Sequence, residues 1–172
     1  MIEKIFYNII NKKQARPLET LALSAGETEL IEEARKKIDR VFGRSVRIRQ
    51  VDAGSCNACE WECTALINPV YDVQRFGVDF VASPRHADIL LVTGPASFSM
   101  ALALKKTYLA MPEPKIVIAC GDCAADGGVF KGSYAVTGGV DKVVPAVSRI
   151  RGCPPSPSAI MTGIMETIRK LF

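Results

Sequence analysis

The residues best suited to chemistry in this sequence are its six cysteines, at positions 56, 59, 63, 120, 123 and 153. Glycines and prolines border three groups of them: Gly54 precedes Cys56-x-x-Cys59, Gly121 precedes Cys123, and Cys153 lies in a Gly-Cys-Pro-Pro stretch. No secretory segment is recognisable, so a disulfide framework is not expected. Thiols in such loops favour metal or redox chemistry. We therefore predict that the three segments together surround one iron–sulfur site.

Two other uses of the cysteines compete with this interpretation. Cys56/Cys59 and Cys120/Cys123 are two CxxC pairs, which could form a four-cysteine zinc site. However, about 60 residues separate the pairs, against about 15–20 in a zinc ribbon. A catalytic dithiol at Cys56/Cys59 would leave Cys123 and Cys153 without a role. Spacing alone does not select four ligands out of six.

The elements around the cysteines predict an α/β fold. The segment Val46–Val51 alternates as a strand does, and continuous apolar runs at 88–93 and 115–120 are typical of strands covered on both faces. A short strand is expected at Val78–Val81, and a last one from Val143-Val144 and the stretch before Arg151. Helices are predicted over 97–110 and after Ser156.

Each cysteine group follows a predicted strand. A mostly parallel sheet with helices on both faces binds ligands beyond the carboxyl ends of its strands, so this topology independently brings the groups together. Cys120 ends an apolar strand and Cys63 lies in the helix that follows Cys59. Both are therefore expected to be core residues.

The first 44 residues are predicted to form a helical extension, and residues 45–172 the iron–sulfur domain. The first helix has an apolar face suited to a membrane surface or a partner's groove: Ile2, Ile5, Phe6, Ile9 and Ile10. A second helix is predicted from Thr28 to Gly43, with an apolar stripe made of Leu30, Ile31, Ala34, Ile38 and Val41.

Composition limits the class of protein. The 172 residues are 48% hydrophobic and 23% charged, as in a globular domain. The net charge of +4 is too small to indicate nucleic-acid binding. No apolar run approaches the roughly 20 residues of a membrane helix, so the expectation is a cytoplasmic, at most peripheral, protein.

From about Arg47 onward, the sequence resembles the small subunit of energy-converting, membrane-bound [NiFe] hydrogenases, which is similar to the 20-kDa-type subunit of respiratory complex I. Several motifs in the same order carry this resemblance: Gly54–Cys59, Tyr71–Gly77, Ser83–Ile89, Met111–Lys115, Gly121–Cys123 and Gly152–Pro155.

The resemblance implies a flavodoxin-like domain with one [4Fe–4S] cluster held by Cys56, Cys59, Cys123 and Cys153. Cys63 and Cys120 would lie outside the ligand set. Complex I subunits of this kind have two adjacent cysteines at the first position, so the CxxC favours the hydrogenase branch. No cysteine follows Cys153, so further clusters are not expected in this chain.

The resemblance also implies partners. These are a large subunit with the NiFe site, a ferredoxin-like iron–sulfur subunit and membrane subunits, on the cytoplasmic face of the membrane. The chain would carry electrons and hold no complete active site. The alternatives are a complex I-like, quinone-reducing or sulfur-reducing complex, or, in a different class, a zinc or dithiol binding protein.

Overall fold

The computed structural model describes residues 25–172, so the helix predicted around residues 2–10 lies outside the described residues. Five strands follow one another along the chain: β1 Val46–Asp52, β2 Val78–Phe80, β3 Ile89–Thr93, β4 Ile116–Cys120 and β5 Ser148–Ile150. The α-helices between and around them are five: α1 Ala25–Phe42, α2 Ala58–Ala65, α3 Phe98–Ala110, α4 Asp122–Asp126 and α5 Pro157–Leu171. Short 3-10 turns lie at Val73–Phe76, Pro84–His86, Gly128–Phe130 and Val140–Lys142.

All five strands form one parallel sheet in the order β2-β1-β3-β4-β5. This is the flavodoxin-like order, in which the chain changes direction across the sheet at β1 and β3. Asp52, Thr93 and Cys120 are paired in register at the carboxyl ends of β1, β3 and β4. The predicted fold class is confirmed, and the strand ends that precede the cysteine loops form one edge.

Alternate residues of the strands supply two separate cores, one on each face of the sheet. The larger core includes Ile48 and Ile118 together with apolar side chains of α1, α2 and α5. The other includes Leu90 and Val117, and Leu104 of α3 packs there. All residues of β3 and β4 are buried, which explains why these strands read as continuous apolar runs.

Helix α1 packs directly on this domain. Ile31, Ala34 and Ile38 are fully buried in the larger core, and Lys37 Nζ donates to the carbonyl of Arg169 in α5 at 2.6 Å. Thr28, the predicted start, lies inside this helix, which includes the first described residue, Ala25. The division of the chain at residue 44 stays a prediction.

Two details differ from the sequence prediction. The helical spacing predicts that Val41 and Leu171 are buried, but both are exposed. The neighbouring Phe42 contacts Phe172 edge to face, with ring centroids 5.1 Å apart. Val143 and Val144 are not part of the last strand. They follow a 3-10 turn and pack into the core before Pro145, which lacks the N–H that a strand residue donates.

Among the helices of residues 25–172, none combines the length and the apolar character that crossing a bilayer requires.

Candidate metal centre

The structure brings the four cysteines of the predicted ligand set to the carboxyl edge of the sheet. Cys56 lies in the loop after β1, Cys59 in the first turn of α2, Cys123 in the first turn of α4, and Cys153 in the loop after β5. Their charges act on one another: Cys56 and Cys123 both raise the pKa of Cys59, and Cys153 raises that of Cys123. Cys56 and Cys153 are exposed, whereas Cys59 and Cys123 are buried.

An aspartate at the end of β1 shapes the first cysteine loop. Asp52 Oδ1 accepts hydrogen bonds from the N–H groups of Gly54 and Ser55, both at 2.7 Å. Ser55 Oγ in turn accepts from Asn57 N at 3.0 Å, and Asn57 adopts a left-handed conformation before α2. These contacts turn the chain so that Cys56 and Cys59 are presented from one loop.

Glycines allow the backbone to approach the two buried thiols. A Cβ added to Gly121 would lie 2.7 Å from Cys59 Sγ. A Cβ added to Gly128 would lie 3.0 Å from Cys123 Sγ and 2.9 Å from its backbone nitrogen. Burial raises the pKa of the Cys123 thiol, and the backbone N–H of Val129 acts in the opposite direction. Amide donors aimed at thiolate sulfur are a recurrent means of tuning iron–sulfur sites.

The loops of Cys123 and Cys153 are joined through their backbones. Gly121 N donates to the carbonyl of Ile150 at 2.8 Å, which extends the β4–β5 pairing by one bond. Asp122 N donates to the carbonyl of Gly152 at 2.9 Å, and Gly152 N donates back to Asp122 Oδ1 at 3.2 Å. The residues next to the two cysteines are thus fixed to each other.

The thiols of the centre favour a bound cation. Burial, followed by the negative charges of Glu60 and the neighbouring thiolates, raises the pKa of Cys59 to about 12. Burial also raises the pKa of Cys123, against the opposing effect of the Val129 N–H. Thiolates gathered in this way need positive charge to be stable, and iron ions supply it.

Cys63 and Cys120 are buried in the larger core, as predicted, although Cys120 ends β4 at the same edge of the sheet. The neighbouring Cys63 thiol, together with burial, raises the pKa of Cys120 far above its ordinary value. Cys63 also borders a cavity of about 300 Å³ beside Arg49 and Thr64. Cys120 is therefore a core residue although it forms a CxxC pair with Cys123.

Within residues 25–172, no three histidine, cysteine, aspartate or glutamate side chains lie close enough to hold a single metal ion. A [4Fe–4S] cluster distributes its four thiolates over four irons, so its ligands surround it and do not converge on one ion. The four thiols at the sheet edge, the glycine approaches and the Val129 amide fit such a group.

Sequence reasoning missed the contributions of Gly128 and Val129, although the Gly127-Gly128 pair soon after Cys123 was a usable signal. It also did not indicate the burial of the carboxylate of Glu60, the residue after Cys59. Both carboxylate oxygens of Glu60 are buried and have no hydrogen-bond partner among the described residues. The carboxylate raises the pKa of both Cys59 and Cys120, which places it beside the centre.

Several known proteins share the sequence pattern or the fold of this chain. The sequence model of the family described as "NADH ubiquinone oxidoreductase, 20 Kd subunit" matches residues 56–167. An uncharacterized protein of Methanocaldococcus jannaschii is 46% identical over 127 residues, which are 74% of this chain and 85% of that protein. The probable membrane-bound hydrogenase subunit mbhJ of Pyrococcus furiosus is 42% identical over 145 residues, 84% of this chain and 87% of the relative.

Formate hydrogenlyase subunit 7 of Escherichia coli is 46% identical over 120 residues, 70% of this chain but only 47% of that longer protein. Among solved structures, a chain of the membrane-bound sulfane sulfur reductase, an archaeal respiratory complex, superposes with a TM-score of 0.65 and 31% identity, covering 83% of this chain and 77% of that one. A chain of an NAD+-reducing [NiFe]-hydrogenase has the same fold, with a TM-score of 0.57 and 18% identity over 74% of this chain and 93% of its own.

Proposed function

Because the chain belongs to the family of the 20-kDa subunit of NADH ubiquinone oxidoreductase, we propose that it is the electron-transfer subunit of a membrane-bound [NiFe] hydrogenase complex. It holds one [4Fe–4S] cluster on Cys56, Cys59, Cys123 and Cys153. The observation that carries this proposal is the approach of four thiols to one sheet edge, with Gly121 leaving room for the sulfur of Cys59.

The chain's own residues bind and orient the ligands. Bound to these thiols, the cluster supplies one-electron transfer between neighbouring redox groups. Asp52 fixes the loop of Cys56 and Cys59, and Asp122 ties the loop of Cys123 to that of Cys153. Burial disfavours a negative charge on the Cys123 sulfur, and the Val129 N–H partly offsets that effect, as its opposing influence on the pKa of Cys123 indicates.

The surface near the centre supports a partner subunit. Trp61, two residues after Cys59, is 68% exposed, and Val129, whose amide contacts Cys123, is 77% exposed. Large apolar side chains in contact with water at a functional site indicate a protein interface.

We assign this interface to the large subunit that carries the NiFe site. Electrons leave or enter through a ferredoxin-like iron–sulfur subunit, and membrane subunits hold the assembly on the cytoplasmic face of the membrane. The named relatives belong to a membrane-bound hydrogenase and a formate hydrogenlyase, which supports these partners. The chain itself contributes no complete active site to the oxidoreductase.

A second candidate is the small subunit of a sulfur-reducing complex. It is favoured by the superposition on the sulfane sulfur reductase chain at 31% identity. The two candidates share the cluster and its ligands and differ in the metal content of the large subunit.

Anaerobic purification of the complex through a tag on this chain tests the proposal. We expect about four irons and four sulfides beyond those of the partner subunits, together with nickel in a large subunit. Cys123→Ser should remove the electron paramagnetic resonance (EPR) signal of this cluster, whereas the matched variant Cys63→Ser should retain it. Iron without nickel would favour the sulfur-reducing or quinone-reducing branch, and zinc without iron would refute the cluster.

A further inference from the structure

Arg151 connects the loop of Cys123, which follows β4, with the loop of Cys153, which follows β5. Its Nη1 lies 2.9 Å from Asp126 Oδ2 and 3.6 Å from Asp122 Oδ1. Asp122 immediately precedes Cys123, and Arg151 stands two residues before Cys153. One guanidinium therefore contacts two carboxylates of the neighbouring loop at the edge where the thiols meet.

We propose that Arg151, Asp122 and Asp126, called here the clasp, hold the loops of Cys123 and Cys153 at their separation and tune the charge beside the cluster. The clasp acts through the ligands and does not bind iron itself, so its members are positioning residues. This inference rests on the proposed function, since it assigns a role to residues around the same centre.

The hydrogen bonds of Asp126 extend the clasp to the Cys123 sulfur. Asp126 Oδ1 accepts from Gly128 N at 3.2 Å, while Oδ2 faces Arg151. Gly128 in turn packs against Cys123, because a Cβ added to Gly128 would lie 3.0 Å from Cys123 Sγ. The guanidinium and the Gly128 amide hold the pKa of Asp126 below its ordinary value, so the carboxylate is charged at neutral pH.

Global stability does not explain this arrangement. The Arg151 side chain is 57% exposed, and ion pairs at such positions contribute little to folding. Their effect on a nearby redox group is different, because reduction adds a negative charge that the guanidinium attracts and the carboxylates repel. Geometry also matters, since the guanidinium of arginine is planar and rigid, whereas lysine ends in a compact ammonium on a flexible stem.

Strand β5 offers a matched control. Arg149, two residues before Arg151, forms an ion pair of the same kind with Asp141 in the Val140–Lys142 turn. That pair lies outside both cysteine loops. Arg149→Gln removes the same charge as Arg151→Gln, from a position two residues earlier in the chain, but leaves the clasp intact.

The test measures the cluster's midpoint potential by EPR titration of the purified complex, and its rate of loss to an iron chelator. Arg151→Gln should shift the potential to more negative values, Asp126→Asn to more positive ones, and Arg149→Gln by clearly less than either. Arg151→Lys should keep the potential near wild type but accelerate cluster loss about two- to five-fold, the range expected for an exposed ion pair.

A second readout does not need the cluster. Amide hydrogen exchange in cluster-free chain should become faster at Asp122 and Gly152 in Arg151→Gln but not in Arg149→Gln. Equal potentials, equal loss rates and equal exchange for the two arginine variants would overturn the clasp while leaving the cluster assignment standing. A wild-type complex without iron would instead overturn the proposed function, and the clasp with it.

Discussion

Gly121→Ala tests the geometry of the centre most directly. Gly121 has φ +91° and ψ 159°, a region nearly restricted to glycine, where another residue costs about 1–3 kcal/mol. Its new Cβ would lie 2.7 Å from Cys59 Sγ, whereas ordinary contacts are about 3.5–4.0 Å. The sulfur or the strand end must therefore move by about 1 Å, beyond the roughly 0.5 Å that a preorganised site tolerates.

We expect the complex with Gly121→Ala to lack this cluster, seen as about four fewer irons and the loss of its EPR signal. The control is Gly138→Ala, at φ +96° with nothing within 4 Å of the added Cβ. It introduces strain from a positive φ without the contact, so it should lower the free energy of unfolding but retain iron and sulfide. Equal cluster content in the two variants would refute the argument from the Cys59 contact.

Two predictions concern pH. Burial, then nearby negative charge, raises the pKa of Cys59 to about 12, so in cluster-free chain about one thiol in ten thousand is ionised at pH 8. Its alkylation, followed by mass spectrometry, should trail that of exposed Cys56 and rise about tenfold per pH unit; equal rates would contradict this. Although partial burial opposes it, hydrogen bonds from Arg149 and the Ala146 N–H hold the pKa of Asp141 below its ordinary value. The resulting stabilisation is complete above the unfolded-state pKa, about 4, and is lost as pH falls through the folded value. Urea unfolding between about pH 5 and about pH 3 should show a steeper loss in wild type than in Asp141→Asn, and parallel losses would refute the assignment.

The strands were predictable because burial on both faces leaves a strong sequence signal. The runs at Ile89–Thr93 and Ile116–Cys120 contain one polar residue, the terminal Thr93, so neither run shows the periodic polar positions of a helix face or a solvated strand. Once these strands are parallel, their carboxyl ends share one edge, and the cysteine loops must meet there. The last strand was less predictable, because β5 has only three residues and the more apolar Val143-Val144 lies outside it.

Spacing could not separate the ligand candidates from the core cysteines. Cys120 and Cys123 form a CxxC pair like Cys56 and Cys59. However, the pair Cys120/Cys123 spans the end of a strand, whereas the pair Cys56/Cys59 lies in a loop and the start of a helix. Cys120 is therefore buried in the larger core, where the neighbouring Cys63 thiol raises its pKa. That difference depends on where the strand ends, which sequence patterns determine to within a few residues only.

The contacts that shape the centre involve residues distant in sequence, such as Gly121 against Cys59 and Asp122 with Gly152. Even so, a local rule underlies them, because an aspartate lies at or just beyond two of the strand ends. Asp52 accepts two amides of the loop before Cys56, and Asp122 accepts one amide of the loop before Cys153. A short carboxylate side chain at the strand end accepts hydrogen bonds from backbone N–H groups that no neighbouring strand pairs. The loop that carries the cysteine is therefore held in one conformation. The same carboxylates add negative charge beside sulfur ligands that are themselves negative, and this repulsion is unfavourable. The clasp compensates for that repulsion. Arg151 offsets the charge of Asp122 without removing its hydrogen bond, so one side chain preserves both the geometry and the charge balance of the site.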